Sequence, residues 1–358
     1  MHLLTIILWI SGFLTILSLV LLTAIVLLRT ATDRRLRRWE HFRNAARPLL
    51  AEHIAGRATL EGILTVLGKD PDLAGELLME ESSRMEAADR SLLRTLTGAL
   101  RCLDSAEADL SSRNPERRLR AADRLGFLGT EHSIPLLRRL LSDEVLSVRF
   151  AAAEALARLG CRECVVEILR SIDVRGEVSQ RRAAEVILIL GPAASGQILS
   201  ILGDQGVSAN TLAIAIRVVG SLRLREAVGP LLTLLSHPDP NIRLNAVRAL
   251  ASIGDSSAMG SIASLANDDS WEVRSAVMQG LGRLGLNAPV PVLLRGLSDG
   301  EWWVRFNAAR ALHELGEPGI AALTEASELL TDPFGRDISL QVLQQHGIVS
   351  KAPKTPSE

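Results

Sequence analysis

Tyrosine is absent from these 358 residues, and phenylalanine and tryptophan bring the aromatic share to only 3%. A core without large rings must be filled by small and medium side chains. Ala and Leu dominate, both strong helix formers, so the composition favours closely packed helices. A basic excess is also missing: 40 Lys and Arg face 41 Asp and Glu, a net charge of −1. That balance argues against nucleic acid as a partner, because phosphate-binding domains carry a clear positive surplus. Cysteine is scarce, with Cys102, Cys161 and Cys164 alone. An odd, sparse count excludes a disulfide framework and fits a reducing compartment with free thiols. Cys161 and Cys164 form a CxxC, but two more ligands would be needed for zinc and no spaced histidine pair supplies them. The seven histidines make no HExxH. The stretch from Gly62 to Lys69 has five residues between its glycines where a phosphate loop needs four. Catalytic, cofactor and metal sites are therefore expected to be none, and the chain is read as a non-enzyme.

What is abundant is repetition. The phrase from Val148-Arg149-Phe150 to Leu159-Gly160 returns as Ile242-Arg243 to Ile253-Gly254, Val273-Arg274 to Leu284-Gly285, and Val304-Arg305 to Leu315-Gly316. Closing glycines at 129, 160, 191, 220, 254, 285, 316 and 347 are spaced 31, 31, 29, 34, 31, 31 and 31 residues apart. Such a period signals a stacked repeat array. In the phrase, Val148, Ala152, Leu156 and Leu159 stand 4, 4 and 3 apart, one buried stripe of a helix. Gly160 and its equivalents fit a left-handed helix cap. Each repeat reads as a first helix, a polar turn such as Asn267-Asp268-Asp269, and a second helix bearing the phrase.

Ahead of the array, Leu3 to Leu28 holds no charged residue over 26 positions, 18 of them Leu, Ile, Val or Phe. That length spans the roughly 30 Å hydrocarbon core of a bilayer. Only His2 precedes it, so a retained transmembrane anchor is expected rather than a cleaved signal. Residues 29–48 carry Arg29, Arg34, Arg35, Arg37, Arg38, Arg43 and Arg47 against Asp33 and Glu40. This one-sided flank predicts a single-pass inner-membrane protein, N-terminus outside and the rest cytoplasmic. Anionic lipid headgroups are expected near Arg34 to Arg38. The expected organisation is 1–28 transmembrane helix, 29–48 basic juxtamembrane segment, 49–104 helical cap, 105–347 repeat solenoid and 348–358 loose tail. Within the cap, Pro48 is taken to open one apolar run that ends near Gly68.

The repeat unit resembles the HEAT repeat, and its short Ala-rich phrase is similar to bacterial HEAT repeats of the phycobilin lyase subunit type. The resemblance implies an all-α, right-handed α-solenoid with a period of about 31 residues. It also implies a ladder of charge-assisted hydrogen bonds between adjacent repeats, from a turn Asp and an Arg six residues later. Asp143/Arg149, Asp268/Arg274 and Asp299/Arg305 match that spacing. Three positions depart: Gln180 and Ala209 replace the Arg, and His237 stands in the Asp place before Arg243. The two middle repeats are therefore expected to be irregular.

Equivalent positions of stacked repeats form columns on one surface. Trp271 and Trp302 lie three before the repeat Arg, and Trp303 follows. Phe306 lies one after it, as does Phe150, and Arg248 and Arg310 share a register one turn on. Aromatic and Arg columns resemble a protein-binding hot spot. The expected function is a membrane-anchored scaffold for membrane-associated protein partners. The alternatives are a tetrapyrrole (bilin) lyase-like enzyme, from the repeat subtype, and a DNA-binding HEAT array.

Overall fold

A computed structural model describes residues 2–82, 84, 90–100, 103–172, 177–204, 206–285 and 288–348. Within its helices the side chains of 1–16, 24, 27, 28, 31, 32, 35, 72, 90–92, 94, 177 and 178 lie outside the described residues. The described residues contain helices and no strand, and they divide into two compact units, Met1–Ser133 and Ile134–Glu358.

The first unit holds α1 (His2–Ile54), α2 (Leu60–Leu67), α3 (Pro71–Ser82), α4 (Arg90–Leu100), α5 (Asp104–Asp109) and α6 (Pro115–Leu128). Helix α1 runs unbroken through the expected boundary at residue 28 and through Pro48. The apolar run expected to open at Pro48 is thus two pieces, the end of α1 and the whole of α2. They part at Gly56, whose φ of +71° is a left-handed turn. Ala46 and Leu50 of α1 are buried with Ile63, Leu67, Leu77 and Leu96. Arg43 pairs with Glu80 at 2.9 Å and Arg47 with Glu81 at 3.0 Å. Those two arginines serve the packing of α1 on α3, whereas Arg34, Arg37 and Arg38 are exposed. Among the described residues no single helix is long and apolar enough to cross a membrane. Of the expected span Leu3–Leu28, the side chains up to residue 16 lie outside the described residues.

The second unit is a run of helix pairs: α7 (Ile134–Leu140) with α8 (Leu146–Arg158), α9 (Val165–Ser171) with α10 (Glu177–Leu188), and α11 (Ser195–Leu202) with α12 (Ala209–Leu222). Then come α13 (Val228–Leu234) with α14 (Pro240–Ile253), α15 (Met259–Ser264) with α16 (Trp271–Leu284), α17 (Val290–Gly296) with α18 (Trp302–Glu314), and α19 (Glu317–Leu329) with α20 (Pro333–Gln345). Second helices pack on each other in succession, α10 on α12, α12 on α14, α14 on α16 and α16 on α18. The stripe of Val148, Ala152 and Leu156 is buried, as are Val273, Val277 and Leu281 and then Val304, Ala308 and Leu312.

Ladder contacts link neighbouring turns, with each full rung built in two halves. Arg243 donates Nη1 to the carbonyls of His237 and Pro238 in its own turn, at 2.9 and 3.0 Å. Its Nε and Nη2 both reach Asp268 of the next turn at 2.7 Å. Arg274 repeats this, holding the Asp268 and Asp269 carbonyls at 2.9 and 3.2 Å and forking onto Asp299 at 2.7 and 2.9 Å. The six-residue spacing therefore sets the contact with a backbone carbonyl, and the carboxylate bond runs forward to the following repeat. Each Asp also accepts a main-chain N–H two residues on, Ser270 and Glu301, which fixes the turn.

The two flanking rungs differ from expectation. Arg149 holds its own turn through the Asp143 and Glu144 carbonyls and sends Nε to the Ser171 carbonyl at 2.8 Å. Arg305 holds the Asp299 and Gly300 carbonyls, and its guanidinium lies 5.3 Å from the Phe334 ring centre. The position 31 residues after Asp299 is Leu330, so no carboxylate stands in register for it.

The middle repeats require a change of register. Six closing glycines have positive φ: Gly160, Gly191, Gly254, Gly285, Gly316 and Gly347. Gly129 and Gly220 do not. The left-handed cap of α12 is Arg223, at φ 52° and ψ 45°, 32 residues after Gly191 and 31 before Gly254. The ladder place in this repeat is accordingly Leu212 and not Ala209. Gly220 instead lies inside α12, where an added Cβ would come within 2.9 Å of the Ala249 Cα on α14. Leu212 offers no guanidinium, and the turn ahead of it offers His237 in place of Asp, so both halves of one rung are replaced together. His237 keeps the local half, accepting the Asp239 N–H on Nδ1 at 3.0 Å. Gln180 makes a neutral link, donating its amide to Asn210 at 2.7 Å.

Cys161 and Cys164, expected to be free, are joined in a disulfide, with Cα atoms 5.4 Å apart, at the entrance to α9. Both are buried, and the cysteine count consequently gives no support to a reducing compartment. Cys102 lies outside the described residues.

Candidate functional site

The expected surface residues fall into two groups on the second helices of the second unit. One is a cluster on α18. Ser or Asp caps α12, α14, α16 and α20, but α18 follows Glu301 and has two tryptophans in its first turn. Trp302 is 43% exposed and Trp303 53% exposed. Phe306, one turn on, stacks on Trp302 with ring centres 4.9 Å apart and meets Trp303 edge-on at 6.3 Å. Trp302 and Trp303 themselves meet at 4.7 Å and nearly at right angles. Arg310 places its guanidinium 5.9 Å from the Phe306 ring and donates Nη2 to the Glu314 carboxylate at 3.3 Å. The cluster is thus three rings in mutual contact, topped by a cation that is itself exposed.

Trp271 and Arg248 belong elsewhere. Together they line a groove of about 860 Å³ between α10 and α16, with Asn210, Asn241 and Asn245 on its walls. Trp271 is half-buried and has no ring contact with the α18 cluster among the described residues. Equivalence in register therefore did not translate into one continuous aromatic column: Glu272 and Ser275 stand where Trp303 and Phe306 stand one repeat later. Phe150, equivalent to Phe306, is buried, with the Arg182 guanidinium 4.5 Å from its ring.

The ladder beneath this face is electrostatically settled. Hydrogen bonds from Arg243 and Arg274 to Asp268 and Asp299 raise both guanidinium pKa values above the ordinary one. Burial works against ionising the two carboxyls, but the Arg bonds and main-chain N–H bonds prevail and hold both below the usual carboxylate range. Near the far end, His313 stacks on His346 at 3.7 Å, and burial followed by its neighbour's charge lowers its pKa. Among the described residues no group of three or more His, Cys, Asp or Glu is placed to hold a metal ion.

Two features escaped the sequence reading. Phe334, 63% exposed at the start of α20, lies against the Arg305 guanidinium and sits 31 residues after Trp303. Following the 31-residue column one step further would have found it. Arg217, the true register partner of Arg248, was hidden by the misplaced glycine at 220.

A family model described as HEAT repeats matches residues 104–188, 198–263 and 259–344. No curated protein matches the chain. Among solved structures, a mutant of Kap121p is 12% identical with a TM-score of 0.53, covering 85% of this chain and 39% of its own. Kap121p bound to the extreme C-terminus of the protein phosphatase Cdc14p is 14% identical with a TM-score of 0.38, covering 76% and 41%. This chain thus spans well under half of Kap121p. The complex of CpcE and CpcF of phycocyanin lyase from Nostoc sp. is 17% identical with a TM-score of 0.31, covering 69% of this chain and 94% of that one. A likeness of that size lends no weight to the lyase alternative. With the helix pairs, the forward-reaching Arg ladder and a family match over most of its length, this chain belongs to the HEAT-repeat family.

Proposed function

We propose that this chain is a non-catalytic scaffold that presents a HEAT array beside the bacterial inner membrane and docks a membrane-associated protein there. The anchor is Leu3 to Leu28, with the N-terminus outside and the array in the cytoplasm, supported by its lack of charge and by the arginines that follow. Arg34, Arg37 and Arg38, exposed on α1, meet anionic headgroups; Arg43 and Arg47 are engaged with Glu80 and Glu81 and do not. Tethering raises the effective concentration of whatever the array binds near its membrane partners.

The observation that carries the docking half is the α18 cluster. Two exposed tryptophans, one stacked on Phe306 and one edge-on to it, lie beside an exposed Arg310. Exposed aromatic and Arg side chains are the types that dominate interface energies. Crosslinking in membranes, followed by co-purification, tests it. The W303A/R310A variant loses the captured membrane protein while its helical melting temperature stays near that of the parent. A steep fall in melting with capture intact in the folded fraction would return these residues to a packing role. The anchor is tested separately: a C-terminal reporter active only outside the cytoplasm stays silent, and activity there reverses the orientation.

A further inference from the structure

Four arginines converge on a second depression along the same face. Arg181 of α10, Arg217 of α12, Arg248 of α14 and Arg283 of α16 line a hollow of about 370 Å³, and no carboxylate lines it among the described residues. The ladder arginines a few residues away are matched by Asp268 and Asp299. Arg181, Arg248 and Arg283 are exposed and stand in no ion pair among the described residues. Three exposed like charges around one hollow, with no ion pair among the described residues, repel each other, so an anion is the missing half.

The surroundings say which anion. The hollow opens into the 860 Å³ groove, sharing Arg217, Asn245 and Arg248 with it. There the exposed Asn241 presents an amide, which matches the donors and acceptors of a peptide main chain, beside the Trp271 ring. Asp239 and Glu272 stand on the same walls, and Asn210 and Asn245 are engaged with Gln180 and the Asn241 carbonyl. In the other direction the next hollow, of about 430 Å³, sets Glu154 and Glu185 among Arg181 and Arg182. A strand of uniform negative charge laid along the face meets those two carboxylates, whereas a peptide can carry acid at the arginines alone. The chain's net charge of −1 likewise supplies no general attraction for a polyanion.

We infer that this hollow binds an acidic segment of an extended peptide, with carboxylates on Arg181, Arg248 and Arg283 and neighbouring residues in the Asn- and Trp271-lined groove. This rests on the scaffold reading and adds the chemical class of an occupant at a place separate from the α18 cluster.

Fluorescence anisotropy on the full-length protein in neutral detergent tests it, using a labelled peptide with a run of glutamates and its glutamine counterpart. The glutamate peptide binds, and its affinity falls steeply with salt. The R248E/R283E variant weakens it about tenfold or more, with the melting temperature held. R248Q/R283Q serves as the second variant should the reversal disturb folding. Equal binding by the parent and either folded variant, or by the glutamine peptide, overturns the inference. So does a single-stranded oligonucleotide that binds more tightly through the same arginines. Failure here is distinguishable from failure of the scaffold: a protein that captures its membrane partner through Trp303 yet ignores the glutamate peptide keeps the scaffold and loses the hollow.

Discussion

The repeats from α13 to α18 and those from α9 to α12 are built on one plan yet hold together by different means. In the later repeats each junction carries an Arg forked onto an Asp, with side chains only 14% and 5% exposed at Arg243 and Asp268. In the earlier ones the junctions hold a neutral amide pair, Gln180 with Asn210, and then, from α12 to α14, Leu212 in the Arg place and His237 in the Asp place. What replaces the ionic rung is closeness. Helix α12 buries Ile214, Ala215, Ile216, Val218 and Val219, and Gly220 lets α14 approach until no Cβ would fit. Charge and contact are interchangeable solutions to the same junction, and the sequence of each repeat shows which was used.

The comparison breaks most visibly at Gly220. Gly220→Val forces α12 off the Ala249 backbone, and overpacking of this kind costs about 3 kcal/mol. Chemical denaturation is the measurement, and a loss below about 1 kcal/mol would show that the junction has slack.

The next largest effect separates the two kinds of rung. Arg274→Ala strands the Asp299 carboxylate and removes a charge-assisted fork, for a loss of about 2–3 kcal/mol, against about 1 kcal/mol for Gln180→Ala. Equal losses would erase the distinction, and exposed Arg248→Ala supplies the baseline near zero. Acid sharpens the same point. Asp268 and Asp299 have folded pKa values below their unfolded ones, so their contribution is complete above about pH 4. It is lost as pH falls through the lower, folded values. Arg274→Ala flattens that acid loss, and Gln180→Ala leaves it unchanged.

The array was legible because Arg, Asp and Gly recur where backbone geometry demands them. Six of the eight glycines take the positive φ expected of them, Gly254 as a left-handed cap. Gly285 and Gly316, at ψ −155° and −146°, leave the helix in a more extended form. The two that misled did so for physical reasons: Gly129 ends α6 in an extended conformation, and Gly220 is a packing residue. Arg223 then filled a left-handed cap that few non-glycine residues adopt, and no pattern of glycines reveals it. The α18 cluster was legible residue by residue, since Trp302, Trp303, Phe306 and Arg310 lie within one short helix. Trp271 was not, because Glu272 and Ser275 stand at the places where its aromatic neighbours would be needed. The disulfide was missed because two cysteines three apart can pack or bond with equal ease.

An arginine that grips its own turn and the next makes the free energy of one repeat conditional on its neighbour. Such an array behaves as a one-dimensional chain of coupled units, in which a weakened coupling marks where cooperativity ends. The Gln180 junction, held by a neutral amide bond, is that mark. Amide exchange in α11 to α18 is therefore set by openings that involve several repeats at once, while α9 and α10 can open in smaller steps. A ligand laid across Arg181 and Arg283 would span the boundary and fuse two cooperative blocks into one.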